Sequence, residues 1–314
     1  VLDLIEWANG PATSMWGAKR AAAGHPEPFG LKYIGVGNEE AVTPLFKERF
    51  EMIYEAIKEK HPEIVVIGTS GPFASGEDFD NGWAFAKELD LEMVDEHYYV
   101  NPQWFWDNLN RYNTYDREGA KVYVGEYAAH DRNRERNTLR SALAEAAGLT
   151  SFERNGDIVN FTSYAPLFAR RGHTQWHPDL IYFNGTEVFP TANYYVQQLF
   201  GQNCGDRYLD TVFGAGDTRR LAASSVKDAK TGDLIVKVVN GGDDPRDINI
   251  RLAGLPTDAS MKAVKTVLTG PDADAANEDG QAPFVKPVTS TEAVKSAFTY
   301  SAPANSLTVY RITQ

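Results

Sequence analysis

The sequence of 314 residues contains one cysteine, Cys204, and no long apolar run. A single cysteine excludes an intrachain disulfide and any metal site built from several thiolates. A membrane span needs about 20 consecutive apolar residues, which this sequence does not offer. His173 and His177 have no third candidate ligand near them in the sequence. We therefore predict no membrane partner, no metal site and no other cofactor.

Basic residues are scarce relative to acidic ones. The chain has 31 Lys and Arg against 43 Asp and Glu, which gives a net charge of −12. Such a surface repels nucleic acid and anionic lipid over most of its area. We therefore predict that the protein does not bind nucleic acid, and that a neutral substrate suits it better.

The N-terminus lacks the basic stretch followed by an apolar one that marks a signal peptide. Leu2, Ile5 and Trp7 instead resemble the end of an amphipathic helix whose start is missing. We expect that this chain derives from a longer parent protein. Its protein partner would be either the missing N-terminal segment of that parent or a second copy of this chain. The compartment stays undetermined by the sequence, with a secreted or periplasmic location favoured over others.

Short β-rich runs alternate with helical patterns from about residue 31 to 200. The predicted strands are 32–37, 64–68, 93–98, 122–126 and 158–161, and the predicted helices are 46–57, 78–89, 139–152 and 194–200. Apolar strands separated by helices indicate an α/β fold with a parallel sheet, either doubly wound or closed as a (β/α)8 barrel. Polar side chains at several strand ends and the lack of a glycine-rich phosphate loop favour the barrel.

The pattern changes after the last predicted helix. Short alternating segments at 234–239, 248–252, 263–268 and 307–312 predict antiparallel strands, and the acidic, alanine-rich segment 271–280 predicts a mobile surface loop. We therefore expect two domains, a catalytic barrel portion over residues 1–204 and an all-β sandwich over residues 205–314.

Two glutamates are candidates for paired acid and nucleophile chemistry. Glu39 and Glu126 each lie at the end of a predicted strand run, shortly after Gly37 and Gly125. Hydrolysis of a glycoside with retention needs two carboxyl groups about 5 Å apart, one protonated and one ionised. A glutamate at a strand end is more commonly a solvated carboxylate at the rim of a sheet, so spacing alone leaves both interpretations open.

The motifs around these glutamates resemble a known family. Gly37-Asn38-Glu39-Glu40 and Val124-Gly125-Glu126-Tyr127 resemble the acid/base and nucleophile signatures at the ends of strands 4 and 7 in a large clan of retaining barrel hydrolases. The surrounding segments narrow the resemblance to the family 51 α-L-arabinofuranosidases. These segments are residues 7–11, 16–17 with Arg20, 24–29, 95–99 and 176–183.

The resemblance implies a role for each candidate residue. Glu39 would be the acid/base and Glu126 the nucleophile, Asn38 would bind the sugar's 2-hydroxyl, and Tyr99 would donate its hydroxyl to Glu126. The substrate would be an arabinose-containing carbohydrate cleaved by double displacement. Two further side chains are predicted to contact it, His97 and Trp176. A purely structural role remains open for both, and Trp176 would use its ring to stack on a sugar face.

The resemblance also implies that this chain begins at the family's fourth strand. A (β/α)8 barrel would then be present only as its strands 4 to 8, and sugar contacts from the first three strands cannot be assigned. Two other functions remain open on the sequence. One is a related retaining endo-β-glucanase or xylanase that shares both glutamates. The other is an inactive carbohydrate-binding fragment.

Overall fold

The computed structural model describes residues 1–131, 136–210, 218–256, 260–277 and 281–313. The chain divides into two compact units. The first unit comprises Val1–Tyr98 with Asp116–Gly125, and the second comprises Tyr99–Tyr115 with Glu126–Gln314.

The helices of the described residues are α1 (Leu2–Asn9), α2 (Met15–Ala22), α3 (Pro44–Lys60), α4 (Glu77–Glu88), α5 (Pro102–Asp107), α6 (Leu139–Arg154) and α7 (Ala192–Gln202), with a 3-10 turn at Arg111–Thr114. The first eight strands are β1 (Tyr33–Gly35), β2 (Val65–Thr69), β3 (Met93–Val100), β4 (Lys121–Ala129), β5 (Val159–Tyr164), β6 (Phe168–Arg170), β7 (Ile181–Phe183) and β8 (Val188–Pro190). The remaining strands are β9 (Arg207–Leu209), β10 (Leu221–Lys227), β11 (Leu234–Asn240), β12 (Arg246–Arg251), β13 (Met261–Thr269), β14 (Val288–Val294), β15 (Ala297–Ala302) and β16 (Ser306–Thr313).

All five strands predicted before residue 200 belong to one sheet. Its order is β1-β2-β3-β4-β5, and β1 pairs parallel with β2, as β2 does with β3. Because the strand order follows the chain order with helices in between, the prediction of an α/β fold with a parallel sheet is confirmed. The sequence did not predict the short strands β6, β7 and β8, which form a separate sheet.

The core of the first unit lies under helix α3. Thr43 caps this helix by accepting a hydrogen bond from the backbone N–H of Phe46, and Pro44 occupies its first turn. Phe50 and Ile57 lie seven residues apart on one face and are buried against side chains of β2, α4 and β3, among them Val66, Phe85 and Val94. The helical spacing of apolar residues read from the sequence therefore marks the face that packs inward.

Arg20 fixes the N-terminal segment of the first unit. Its guanidinium is fully buried and donates hydrogen bonds to five backbone carbonyls, those of Trp7, Ala8, Gly10, His25 and Pro26. A planar group with five N–H donors suits such a cluster of acceptors, because each of its three nitrogens donates to at least one carbonyl. The tryptophan, arginine and histidine motifs that suggested the family before Glu39 thus have a structural function here.

In the second unit a six-stranded sheet, β14-β13-β16-β11-β10-β9, and a two-stranded sheet, β12-β15, share one apolar core. All seven residues of β11 are buried, because both of its faces are covered. Leu234, Val236 and Val238 belong to the shared core, whereas Lys237 points to the other face and bonds to Glu153 of α6 at 2.6 Å. The Lys237 side chain is fully buried, so its charge needs the Glu153 carboxylate as a partner.

Helix α6 is buried on nearly all sides, from Leu139 and Ser141 through Phe152. Its first N–H groups have no partner within the helix. Leu139 N donates to the carbonyl of Ala275, and Arg140 N donates to that of Ala273. The prediction of a mobile surface loop at 271–280 is therefore wrong for this part, since Ala275 and Ala276 are buried and the Ala275 carbonyl bonds to α6. Residues 278–280 lie outside the described ranges.

Across the described residues, none of the helices combines the length and apolar character that a membrane crossing requires.

Candidate active site

Glu39 lies in a tight turn four residues beyond the end of β1. Gly37 has φ of 100° and Glu39 itself has φ of 58°, which is unusual for a residue other than glycine. Glu40 closes the turn, because its carboxylate accepts a hydrogen bond from the backbone N–H of Asn38. A non-glycine residue held at positive φ costs about 1 to 3 kcal/mol, and such strain clusters at functional sites. The turn leaves the Glu39 side chain half-buried.

A chain of hydrogen bonds in the first unit links Glu39 to strand β4. Glu39 Oε1 lies 2.7 Å from His97 Nδ1, and His97 Nε2 lies 3.0 Å from Asp95 Oδ2. The other carboxylate oxygen of Asp95 accepts from the backbone N–H of Gly125 at 3.0 Å. A Cβ atom on Gly125 would lie 2.1 Å from that oxygen, so only glycine permits this contact. The residue before Glu126 is thus held by the same network that contacts Glu39.

The position of His97 between two carboxyl groups restricts where protons lie. The imidazole is 2 % exposed, so water does not supply a substitute partner for either nitrogen. If both carboxyls are ionised, the ring must carry two N–H groups and a positive charge. If the ring is neutral and donates to Asp95, Glu39 must be protonated to donate to Nδ1. If the neutral ring donates to Glu39 instead, Asp95 must be protonated to donate to Nε2. Each of the three arrangements places a proton between His97 and Glu39.

Asp95 was missed in the sequence interpretation, although its segment contributed to the resemblance. Side chains two residues apart on a strand point to the same face. Asp95 therefore lies on the His97 side of β3, and alternation along the strand is the signal that would have identified it. The intervening Glu96 points the other way and accepts a hydrogen bond from Trp83 Nε1 at 2.9 Å.

Glu126 has its own partner in the second unit. The hydroxyl of Tyr99 donates to Glu126 Oε2 at 2.5 Å, the contact expected from the resemblance. The Tyr99 ring stacks on the ring of His130, with centroids 5.5 Å apart and planes at 25°. His130 N in turn donates to the carbonyl of Val100. No sequence pattern indicated a role for His130, because the stacking depends on the pairing of neighbouring strands.

Glu126 does not end its strand as predicted, since β4 continues to Ala129. The residues that follow it, Tyr127 to Ala129, are buried, so the apolar pattern persists beyond the carboxylate. A carboxylate inside a strand is held more firmly than one on a loop, because the neighbouring backbone is fixed by sheet hydrogen bonds.

Asn38 and Trp176 are placed differently. Asn38 is exposed in the turn. Its backbone N–H donates to the Glu40 carboxylate, and this bond holds the residue in place. Trp176 lies in the loop between β6 and β7 and is 58 % exposed, with its backbone N–H bonded to the Thr174 hydroxyl. Both side chains are accessible to a ligand, and the predicted sugar contacts of both stay predictions.

A second ionisable group is buried behind β4. Glu145 of α6 is fully buried, and its Oε1 accepts from the backbone N–H of Ala129 at 2.8 Å. Its Oε2 has no hydrogen-bond partner among the described residues. Burial raises the pKa of this carboxyl from 4.5 to about 8, opposed by the hydrogen bond from Ala129 and by the nearby amides of Asn193 and Gln197. Glu145 is therefore mainly protonated at neutral pH.

Glu145 is expected to make stability fall as the pH rises. Its folded-state pKa lies above the unfolded value, so the stabilisation by its proton is complete below pH 4.5 and is lost as the pH rises towards about 8. The total change is on the order of 4 to 5 kcal/mol in the free energy of unfolding. Urea unfolding of the native chain and of Glu145→Gln between pH 5 and 8 measures it, because glutamine removes this titration. Parallel pH profiles for the two proteins would contradict the expectation.

Glu126 on β4 and Glu39 in the turn after β1 are each held by a side chain of β3. Carboxyl groups in and after the strands of a parallel sheet are typical of barrel-type glycoside hydrolases. Models of two families cover nearly the whole chain: the α-L-arabinofuranosidase 1 domain matches residues 1–117, and the α-L-arabinofuranosidase C-terminal domain matches residues 112–306. The chain belongs to the family 51 α-L-arabinofuranosidases.

Individual relatives agree with this membership. An extracellular exo-α-L-arabinofuranosidase of Streptomyces chartreusis is 50% identical over 208 residues, which are 66% of this chain and 25% of that protein. α-L-Arabinofuranosidase 2 of Arabidopsis thaliana is 35% identical over 81% of this chain and 36% of its own length. The chain thus spans a quarter to less than half of these curated relatives.

Solved structures agree in fold. The arabinose-bound MgGH51 α-L-arabinofuranosidase superposes with a TM-score of 0.86 and 32% identity, over 99% of this chain and 50% of that one. The arabinose complex of the Thermotoga maritima α-L-arabinofuranosidase has a TM-score of 0.81 at 20% identity, over 100% of this chain and 72% of that one. The second likeness concerns the fold alone.

Proposed function

We propose that this protein acts as a retaining α-L-arabinofuranosidase, which releases terminal α-L-arabinofuranosyl residues from arabinose-containing polysaccharides or oligosaccharides. The observation that carries the proposal is that strand β3 supplies a partner for each of two glutamates, His97 for Glu39 and Tyr99 for Glu126. Membership of the family supports the substrate class, because the relatives named above are α-L-arabinofuranosidases.

The family resemblance implies that Glu39 and Glu126 act on the same sugar. Retention requires carboxyl groups about 5 Å apart, with both facing the anomeric carbon of one sugar. We expect Glu39 and Glu126 to meet that requirement.

In the first step Glu126 attacks the anomeric carbon while Glu39 gives its proton to the leaving oxygen. The bond from the sugar to the leaving group breaks as the ester bond to Glu126 forms. The Tyr99 hydroxyl donates to Oε2 of Glu126. Its hydrogen bond also fixes the carboxylate in the orientation that the reaction needs.

In the second step Glu39, now ionised, takes a proton from water as that water attacks the anomeric carbon. The ester bond to Glu126 breaks, and arabinose leaves with its original configuration. The contact from His97 Nδ1 suits both steps, because the imidazole can receive a proton from Glu39 or share one with it. Asp95 orients the ring through Nε2.

Two exposed side chains complete the proposed sugar site. Asn38 would bind the 2-hydroxyl, a hydrogen bond expected to strengthen as positive charge develops on the sugar ring. Trp176 would stack on the sugar or on the chain that bears it, since aromatic faces suit the C–H side of carbohydrates. The partner is thus an arabinose-containing carbohydrate. A further segment of the same protein, or a second copy of the chain, would supply any remaining contacts.

We further propose that β1 to β5 correspond to strands 4 to 8 of a (β/α)8 barrel and that the antiparallel sheets form a sandwich domain, with the boundary near residue 204. The shared apolar core of the two antiparallel sheets supports the sandwich. An extracellular location is proposed because the Streptomyces chartreusis relative is an extracellular enzyme.

Competing activities are tested by substrate choice. The protein is expected to hydrolyse 4-nitrophenyl α-L-arabinofuranoside and to release arabinose from arabinoxylan, and not to cut unsubstituted xylan or cellulose. Release of xylo- or cello-oligosaccharides with no arabinofuranoside turnover would indicate a related endo-acting hydrolase. Sugar binding without any turnover would indicate a binding fragment. Either result would contradict the proposal.

Tyr99→Phe is expected to lower kcat for the arabinofuranoside about 10- to 100-fold, with KM changed far less. The substitution removes one hydrogen bond to a charged group, which contributes about 1.5 to 3 kcal/mol. Tyr33→Phe, at an exposed tyrosine of β1, is the matched control and should leave both constants unchanged. A loss confined to KM, or an equal loss in the control, would contradict the orienting role of Tyr99.

A further inference from the structure

A separate pocket of about 830 Å³ lies in the second unit, lined by α5 and the residues after it and by the start of β10 and β12. Four arginines line it, although the chain as a whole carries a net charge of −12. They are Arg154, Arg219, Arg220 and Arg246. Neither Tyr99 nor Glu126 lines this pocket. The catalytic proposal therefore does not account for it.

Two of these arginines keep most of their donors available. Arg154 donates from Nη2 to the carbonyl of Leu109 at 2.7 Å, and Arg220 donates from Nη2 to Gln103 Oε1 at 2.5 Å. A guanidinium carries five N–H donors. Among the described residues, no carboxylate forms an ion pair with either one. Both groups can therefore accept an additional anionic partner in the pocket.

The wall around these arginines is shaped by the fold. A Cβ atom on Gly241 would lie 2.5 Å from the Trp106 ring, so the absence of a side chain there makes room for the indole. The guanidinium carbon of Arg220 lies 5.5 Å from the centre of that ring. Arg220 adopts φ of 57°, a conformation that a non-glycine residue takes only where its surroundings hold it.

The lining also restricts the kind of anion. Asp107 lines the pocket and accepts a hydrogen bond from Gln103, and Asn110 and Asn113 line it too. A carboxylate in the wall and the overall negative charge disfavour a highly charged ligand such as a polyphosphate. Amides and an indole suit hydroxyl groups and a sugar ring, whereas the arginine fork matches a carboxylate. The volume is within the usual range for small-molecule sites.

We propose that this pocket binds a carboxylated sugar unit, a hexuronate, of the polysaccharide on which the enzyme acts. Arg154 and Arg220 bind the carboxylate, and Trp106 with the neighbouring amides contacts the ring and its hydroxyls. The proposal rests on the proposed function for its choice of a saccharide as ligand. It adds a second contact, which would hold an acidic polymer on the protein independently of the arabinose that is cleaved.

The test is calorimetric titration of the 314-residue chain with trigalacturonate, with xylotriose and inorganic phosphate as comparison ligands. Saturable binding of trigalacturonate is expected, weakened about tenfold or more in Arg220→Gln and in Arg154→Gln. Arg251→Gln changes an exposed arginine on the same strand as Arg246 and serves as the control, with no expected effect. Circular dichroism verifies that each variant is folded. If Arg154→Gln does not fold, Arg220→Gln alone is sufficient to test the proposal.

Three outcomes would overturn the proposal. They are no saturable binding of trigalacturonate, equal binding by Arg220→Gln, and binding of xylotriose or phosphate as tight as that of trigalacturonate. Because binding is measured rather than arabinose release, its failure is distinguishable from failure of the proposed function. A chain that binds trigalacturonate but hydrolyses nothing upholds this site and contradicts the catalytic proposal.

Discussion

Glu126→Ala is expected to reduce kcat for 4-nitrophenyl α-L-arabinofuranoside by about 10⁴- to 10⁶-fold, the range seen when a catalytic nucleophile is removed. If Glu126 is the attacking group, the alanine variant has no carboxylate to form the ester intermediate. The first chemical step is therefore lost. Initial rates under saturating substrate, with active protein quantified independently, measure the effect.

Glu126→Gln separates the nucleophilic role of Glu126 from its structural one. The amide oxygen of glutamine still accepts the hydrogen bond from the Tyr99 hydroxyl, so the local structure is retained. The amide is not a competent nucleophile, and the loss of activity should therefore match that of alanine. Glu59→Ala, at an exposed glutamate of α3, is the control and should retain full activity. Substantial activity in Glu126→Gln would contradict the assignment.

Glu39→Ala is expected to show a loss that depends on the leaving group. For a poor leaving group the missing proton donor should cost about 10²- to 10⁴-fold in kcat/KM. For a 2,4-dinitrophenyl leaving group, which needs no protonation, kcat/KM should fall little. The second step then becomes slow, because no base activates the water, and kcat falls instead. Measurement of both constants over a series of aryl arabinofuranosides tests this pattern.

Added azide provides the second readout for Glu39. A small anion that needs no general base should enter the space left by the carboxylate, raise kcat of Glu39→Ala and yield the arabinosyl azide of retained configuration. Glu40→Gln keeps an acceptor for the Asn38 N–H and should show neither azide rescue nor dependence on the leaving group. A uniform loss across leaving groups without azide rescue would mean that Glu39 has only a structural role.

The alternation of strands and helices could be predicted because it depends on local apolar patterns. The predicted strands at 64–68 and 122–126 and the predicted helix at 139–152 correspond closely to β2, β4 and α6. Their lengths were harder to predict, since β4 continues past Glu126 under cover that only the tertiary structure supplies.

The environment of each element could not be read from the sequence. Lys237 lies in an apolar run and would be expected on an exposed face, yet it is fully buried because Glu153 of α6 lies opposite. The segment around Ala275 has the composition of a loop, but its carbonyls complete the N-terminus of α6. Both contacts join residues far apart in the sequence, where local composition carries no information.

The candidate site shows the same division. Glu39 and Glu126 were identified through motifs, and the bond from Tyr99 to Glu126 agrees with the expected contact. The bond from His97 to Glu39, the part of Asp95 and the requirement for glycine at position 125 emerged only from the geometry. These contacts concern orientation and proton placement, which depend on distances of a few tenths of an ångström.

The central claim is that Glu126 forms a covalent bond to arabinose and that Glu39 is needed to hydrolyse it. Glu39→Ala incubated with 2,4-dinitrophenyl α-L-arabinofuranoside should accumulate this intermediate, because its first step proceeds and its second is slow. Peptide mass mapping after acid quenching should find the peptide that contains Glu126 heavier by one anhydroarabinose. Label on a different carboxylate, or no labelled peptide despite a burst of dinitrophenol, would contradict the account.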